Sequence, residues 1–129
     1  MTLKHIPPKE AFAKIQKEGF VYLDVRTPEE FFAGHPKDAI NIPIFLKTPA
    51  GRQFNSNFLA QVQEKFSKTT KLVVGCQSGG RSAQACELLL SQGYASLYNV
   101  CGSFGGGVHP ITGDIVRGWK EEGLPVTCE

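Results

Sequence analysis

An α/β fold, with a mainly parallel sheet and helices on both faces, is predicted by two features of this sequence. Apolar runs rich in β-branched residues, such as Leu72-Val73-Val74, do not alternate with polar residues, which marks strands covered on both faces. Between these runs lie stretches with helical spacing of apolar residues, and strands alternating with helices join by right-handed crossovers into a parallel sheet. The 129 residues fit one domain, taken as 1–129, large enough to bury a core without staples.

Pro7 or Pro8 opens the first helix, whose apolar stripe is Ala11, Phe12 and Ile15 and which ends before Gly19. Phe20-Val21-Tyr22-Leu23-Asp24-Val25 is the first strand. Thr27 then caps a short helix with Pro28 at its first position, Glu29 and Glu30 in its first turn and its end near Gly34. Ala39-Ile40-Asn41-Ile42-Pro43 is a second short strand, stopped by its proline. The stretch from Ile44 to Asn55 reads as irregular, with Pro49, Gly51 and the cations Lys47 and Arg52. Ser56 or Asn57 starts a helix with Phe58, Leu59, Val62 and Phe66 on one face. After the strand around Leu72–Val74 a helix runs from Ser82 toward Gly93, with Ala83, Ala85, Cys86, Leu88, Leu89 and Leu90 apolar. Ala95 to Cys101 gives a last strand, Gly102 to Gly113 a glycine-rich loop, and Asp114 to Glu122 a closing helix before Gly123 and Pro125.

The chemistry concentrates in Cys76-Gln77-Ser78-Gly79-Gly80-Arg81-Ser82, between a buried strand and a helix start. In an open α/β sheet, sites lie at the carboxyl ends of strands, where Cys76 falls. Small residues allow this loop to curl so that its N–H groups converge on one point, a nest for an anion at a helix N-terminus. A thiol with an ordinary pKa near ~8.5 is only slightly ionised at pH 7, and lowering it by about two units, roughly 2.7 kcal/mol, makes most of it nucleophilic. The converging amides, the helix dipole and Arg81 are the candidates for that shift. Ser78, Gly79 and Gly80 act through their N–H groups. Arg81 is read both as closing the loop through a carboxylate and as facing an anion. Asp24 and Arg26, at a strand end on the same rim, are read as organising the site ahead of touching substrate. Cys86 reads as core, Cys101 as a buried small hydrophobe ahead of a resolving thiol, and Cys128 as inert. His35 and His109 are left outside the chemistry.

Other classes are excluded. A net charge of +2 with scattered basic residues gives no nucleic-acid footprint, and no 18-residue apolar stretch spans a membrane. Neither GxGxxG nor GxxxxGK[ST] occurs, so no nucleotide cofactor is expected. Cysteines at 76, 86, 101 and 128, without CxxC, fit neither a zinc site nor a disulfide scaffold, so no metal is expected and a reducing compartment fits best. The N-terminus has no apolar signal core, which predicts a cytoplasmic protein, or an organellar one if a targeting segment has been removed.

The segments Asp24-Val25-Arg26-Thr27-Pro28-Glu29-Glu30-Phe31, Gly34-His35, Ala39-Ile40-Asn41-Ile42-Pro43, Cys76 to Ser82 and Gly123-Leu124-Pro125-Val126 resemble, in that order, the single-domain rhodaneses, thiosulfate sulfurtransferases, and most of all their small plant-type members. The resemblance implies a rhodanese-like, five-stranded parallel α/β domain. It also implies that Cys76 takes sulfane sulfur from a small donor such as thiosulfate as a persulfide and passes it to a thiophilic acceptor. That acceptor is a thiol or cyanide, with thioredoxin and glutathione both open. Gln77, Ser78, Gly79, Gly80 and Ser82 become the substrate-binding residues, Cys76 and Arg81 the catalytic pair, and Asp24 and Arg26 their supports. Two departures stand out. His35-Pro36-Lys37-Asp38-Ala39 replaces a turn that usually carries glycine before the alanine, and an apparent insertion from Gly105 to Gly113 separates Gly102-Ser103-Phe104 from Gly118-Trp119. The competing readings are a phosphatase or arsenate reductase, and a noncatalytic or redox-sensing module. Against the first, only four residues separate Cys76 from Arg81, where phosphatase loops have five and a wider cradle.

Overall fold

The computed structural model describes residues 3–129. Its elements in chain order begin with β1 (Lys4–Ile6), α1 (Pro8–Glu18), β2 (Val21–Asp24) and α2 (Pro28–Ala33). Short strands β3 (His35–Pro36) and β4 (Ile40–Asn41) precede the pair β5 (Phe45–Thr48) and β6 (Gly51–Phe54). Then come α3 (Phe58–Lys65), β7 (Leu72–Gly75), α4 (Gly80–Ser91) and β8 (Leu97–Val100). The chain closes with β9 (Gly107–Val108), β10 (Ile115–Val116) and β11 (Val126–Thr127).

Five strands in the order β1-β8-β7-β2-β4 form the main sheet, and every neighbouring pair in it is parallel. Side chains alternate across it as the strand period requires. Leu23, Leu72 and Val74 point to a core with Phe58 and Val62 of α3 and Cys86 and Leu89 of α4. Tyr22 and Val73 point to the other face, where Ala11 of α1, Phe31 of α2 and Trp119 cover them. Both faces are covered, which is why the strands read as apolar runs.

Several elements start and stop where the residues predict. Pro8 opens α1 and Gly19 ends it in the left-handed conformation. Thr27 caps α2 through its hydroxyl, which accepts the Glu30 N–H, while the Glu30 carboxylate accepts the Thr27 N–H, a reciprocal capping box. At the departure 35–39 the chain bends with Asp38 at φ 66, the left-handed region that Asp tolerates better than most residues.

Two expectations are corrected. The stretch read as irregular is the antiparallel hairpin β5–β6, closed by the Thr48 hydroxyl bonding the Gly51 carbonyl at 2.6 Å. Its strands are largely exposed, with the apolar Leu46 and Phe54 on opposite faces both open to solvent, so no buried alternation announces them. The expected closing helix does not form. Ile115–Val116 pairs instead with Gly107–Val108, and the N–H groups of Trp119 and Lys120 bond the carbonyls of Ser103 and Phe104 at 2.7 and 3.1 Å rather than carbonyls of their own segment. Gly118 permits this docking, since a Cβ there would meet the backbone of Gly105 and Gly106. The five-stranded parallel sheet is as expected, its fifth strand being the edge strand Lys4–Ile6, too short to register as a periodic pattern.

Candidate active site

β7 delivers Cys76 to the carboxyl end of the sheet, and α4 begins four residues later at Gly80. The loop is bedded on the turn after β8. The Cys76 N–H donates to the Ser103 hydroxyl at 3.0 Å, and that hydroxyl donates to the Val100 carbonyl. From the same turn, the N–H groups of Phe104 and Gly105 bond the carbonyls of Cys76 and Gln77 at 3.0 and 2.8 Å. The backbone of the loop is therefore fixed before any ligand arrives.

Sγ of Cys76 accepts the Gly79 N–H at 3.1 Å. Burial of the thiol pushes its pKa up, but the Ser82 hydroxyl and the N–H groups of Ser82, Gly79 and Ser78 outweigh burial, so the thiol lies below its ordinary value. Cys76 is only 2% exposed, so a reactant must present a single narrow end to it. The Ser82 hydroxyl also lies 2.5 Å from Asn99 Oδ1, and the Asn99 amide nitrogen lies 2.9 Å from His5 Nδ1, which links the first strand to the loop.

Arg81 is committed to Glu30. Its two terminal nitrogens donate to the two carboxylate oxygens at 2.7 and 2.9 Å, a bidentate pair that joins α4 to α2. This pair holds the Glu30 pKa at about 2 and raises that of Arg81. Asp24 and Arg26, 1% and 2% exposed, form a second forked pair, in which Arg26 also donates to the Gly34 carbonyl at 2.7 Å and lies over the Phe104 ring. Arg26 touches the loop only through Gln77, at 3.5 Å.

A cleft of about 600 Å³ opens over the cysteine, lined by Cys76, Gln77, Ser78, Gly80, Arg81 and Gln84 of the loop and α4, Glu30 of α2, and Phe45 and Arg52 of the hairpin. The sequence-predicted residues Cys76 to Ser82 are thus gathered around one thiol, with Asp24 and Arg26 bracing the rim below. Gly80 lines the cleft and starts the helix. The insertion sits elsewhere. Gly107, Val108 and Pro110 back the loop and close a separate cavity of about 400 Å³ with Gly79, Asn99 and Cys101. Cys86 and Cys101 are buried and burial raises both thiols, while Cys128 is exposed. Among the described residues, no cluster of three or more His, Cys, Asp or Glu could hold a metal ion.

Sequence reasoning missed Asn99, Ser103 and Glu30 as parts of the site. Asn99 carried a signal, because a polar residue inside the otherwise apolar strand Leu97–Val100 must find a partner.

The model of the rhodanese-like domain matches residues 7–108 of this chain. The chain belongs to the rhodanese-like family. Thiosulfate sulfurtransferase 16, chloroplastic, of Arabidopsis thaliana is 39% identical over 107 residues, spanning 83% of this chain and 79% of that protein. Protein HIGH ARSENIC CONTENT 1, mitochondrial, of the same plant is 45% identical over 86 residues, 67% of this chain, and the chain spans about half (51%) of its length. The crystal structure of Rv0390 from M. tuberculosis superposes over 100% of both chains with a TM-score of 0.78 at 26% identity. Family membership and a relative named as a sulfurtransferase support sulfur transfer as the broad activity. Within the rhodanese-like frame, Cys76 stands at the carboxyl end of a central strand, where the sheet's geometry opens to solvent.

Proposed function

We propose that this protein is a single-domain sulfurtransferase that carries sulfane sulfur on Cys76. The observation that carries the reading is the convergence of three N–H groups and one hydroxyl on a buried thiol whose pKa they lower. In the first step the Cys76 thiolate attacks the outer sulfur of thiosulfate or a similar donor. The donor's S–S bond breaks and sulfite leaves with the bonding pair. In the second, a thiolate or cyanide attacks the terminal sulfur of the persulfide, and the Cys76 thiolate leaves. Nucleophile and leaving group are anions in both steps, so no acid or base is required, and no histidine lines the cleft. The donors that stabilise the thiolate then stabilise the persulfide anion one atom further out. Thioredoxin and glutathione are the thiol acceptors this chemistry suits. The relatives' names, chloroplastic and mitochondrial, favour an organelle over the cytoplasm. No helix among the described residues is long and apolar enough to cross a membrane.

One observation favours a second reading, oxyanion reduction at Cys76: the relative whose name refers to arsenic content. The test runs thiosulfate with each acceptor beside arsenate with a thiol reductant and a phosphate ester. Thiosulfate should leave Cys76 one sulfur heavier, and Cys76→Ser should lose both adduct and turnover while keeping the fold. Sulfur transfer by the serine variant, or turnover of arsenate alone, overturns the proposal.

A further inference from the structure

The charges around Cys76 do not by themselves suit an anionic reactant. Glu30 and Arg81 cancel in their bidentate pair, Arg26 is cancelled by Asp24, and ionised Cys76 leaves the floor of the cleft with a net negative charge. A donor such as thiosulfate, a dianion, meets repulsion there. What reverses the sign is the hairpin. Arg52 of β6 lines the cleft beside Cys76, with its guanidinium 5.6 Å from the centre of the Phe45 ring. Lys47 is its direct cross-strand partner, so both side chains leave the same face of the hairpin, the face that carries Phe45 and Phe54. Among the described residues neither cation is in an ion pair.

Like charges directly opposite on a ladder are destabilising, and here no carboxylate relieves them. An anion held between Arg52 and the thiol, with Lys47 beside it on the same hairpin face, relieves that repulsion. The Phe45 ring lies within cation–π range of the Arg52 guanidinium, a contact that leaves the N–H edges free for an oxyanion. We infer that the face of the β5–β6 hairpin bearing Lys47 and Arg52 is an anion-recruiting arm that holds the oxyanion end of the sulfur donor over Cys76. This rests on the proposed function for the identity of its ligand, a small tetrahedral oxyanion with an outer sulfur. The arm gives charge selection at the mouth. The loop amides give the chemistry at the floor.

The test compares alkylation of Cys76 by iodoacetate, an anion, and by neutral iodoacetamide, in wild type and in the Lys47→Gln, Arg52→Gln and double variants. Adducts are quantified per peptide, with exposed Cys128 as internal control. At low salt the iodoacetate-to-iodoacetamide rate ratio at Cys76 should fall about fivefold in the double variant, and added salt should shrink the difference. The ratio at Cys128 should not move. KM for thiosulfate should rise by a similar factor with kcat largely kept, and Arg52→Lys should retain more of the ratio than Arg52→Gln. An unchanged ratio at Cys76 overturns the inference, and so does a reduced ratio with unchanged KM. A reduced ratio in a protein that transfers no sulfur supports the arm and removes the sulfurtransferase reading alone.

Discussion

Ser82 holds one proton and faces three acceptors: the Gly79 carbonyl at 3.1 Å, Asn99 Oδ1 at 2.5 Å, and the Cys76 sulfur it helps to lower. When Cys76 ionises, the full charge on sulfur is the strongest of the three for that proton. Ser82→Ala should therefore move the pH dependence of Cys76 alkylation by iodoacetamide to higher pH. It should also cost about 1–2 kcal/mol of stability, because the buried Asn99 carbonyl loses its partner. A pH profile that stays in place would assign the shift to the loop amides alone. Cys76 itself was legible in the sequence because everything that marks it is local: an apolar strand, small residues and a helix start. Glu30 was legible only as a helix-cap residue, three positions after Thr27. Its reach to Arg81 spans 51 residues of chain, which no local pattern encodes. Asp38 shows the reverse case, where a departure from the family's sequence leaves the path of the chain open to a left-handed bend through a tolerant side chain.

The helices and central strands were readable as elements because burial imposes a period on them, with prolines and glycines marking several ends. The small hairpins were not. β6 is exposed throughout and β5 is half-buried only at Phe45 and Thr48, so the pair reads as an irregular loop, although it forms one wall of the cleft. The segment 114–122 has the residues of a helix, but tertiary hydrogen bonds to Ser103 and Phe104 override that propensity. The β9–β10 hairpin has its own function in the architecture: Gly107 lies so close to the loop that a Cβ would meet the Ser78 carbonyl. Backbone cannot yield as a flexible side chain does, so Gly107→Ala should push Ser78 and tilt its N–H away from the sulfur. The expected result is at least a tenfold fall in turnover, with far-UV circular dichroism unchanged and the thermal midpoint lowered by only a few degrees. Equal loss of fold and activity would instead make Gly107 a plain packing residue.

Across the whole molecule, the order β1-β8-β7-β2-β4 brings to one end of the sheet residues from the first strand to the turn after β8. The sheet order follows from no local motif. It is set by which faces can be covered, and the two cores show both faces of β7 and β2 filled. The Glu30–Arg81 pair ties α2 to α4 from opposite sides of that sheet end. It therefore links the stability of the molecule to the integrity of the site. Glu30 has its folded pKa depressed from 4.5 to about 2, so its contribution is present in full above pH 4.5 and is lost as pH falls through about 2. The carboxylate is partly exposed, so solvent screening keeps that contribution near 0.5–1 kcal/mol. Glu30→Gln separates the pair from the cap, because glutamine at this position still returns a hydrogen bond to the Thr27 N–H. The variant should be slightly less stable at pH 7, and its stability should decline less steeply than that of wild type between pH 4.5 and 2. Urea titrations at pH 7, 4.5 and 3 measure both. If the two proteins decline in parallel, the acid sensitivity arises from other carboxylates, and the Arg81 fork shapes the cleft without holding the fold.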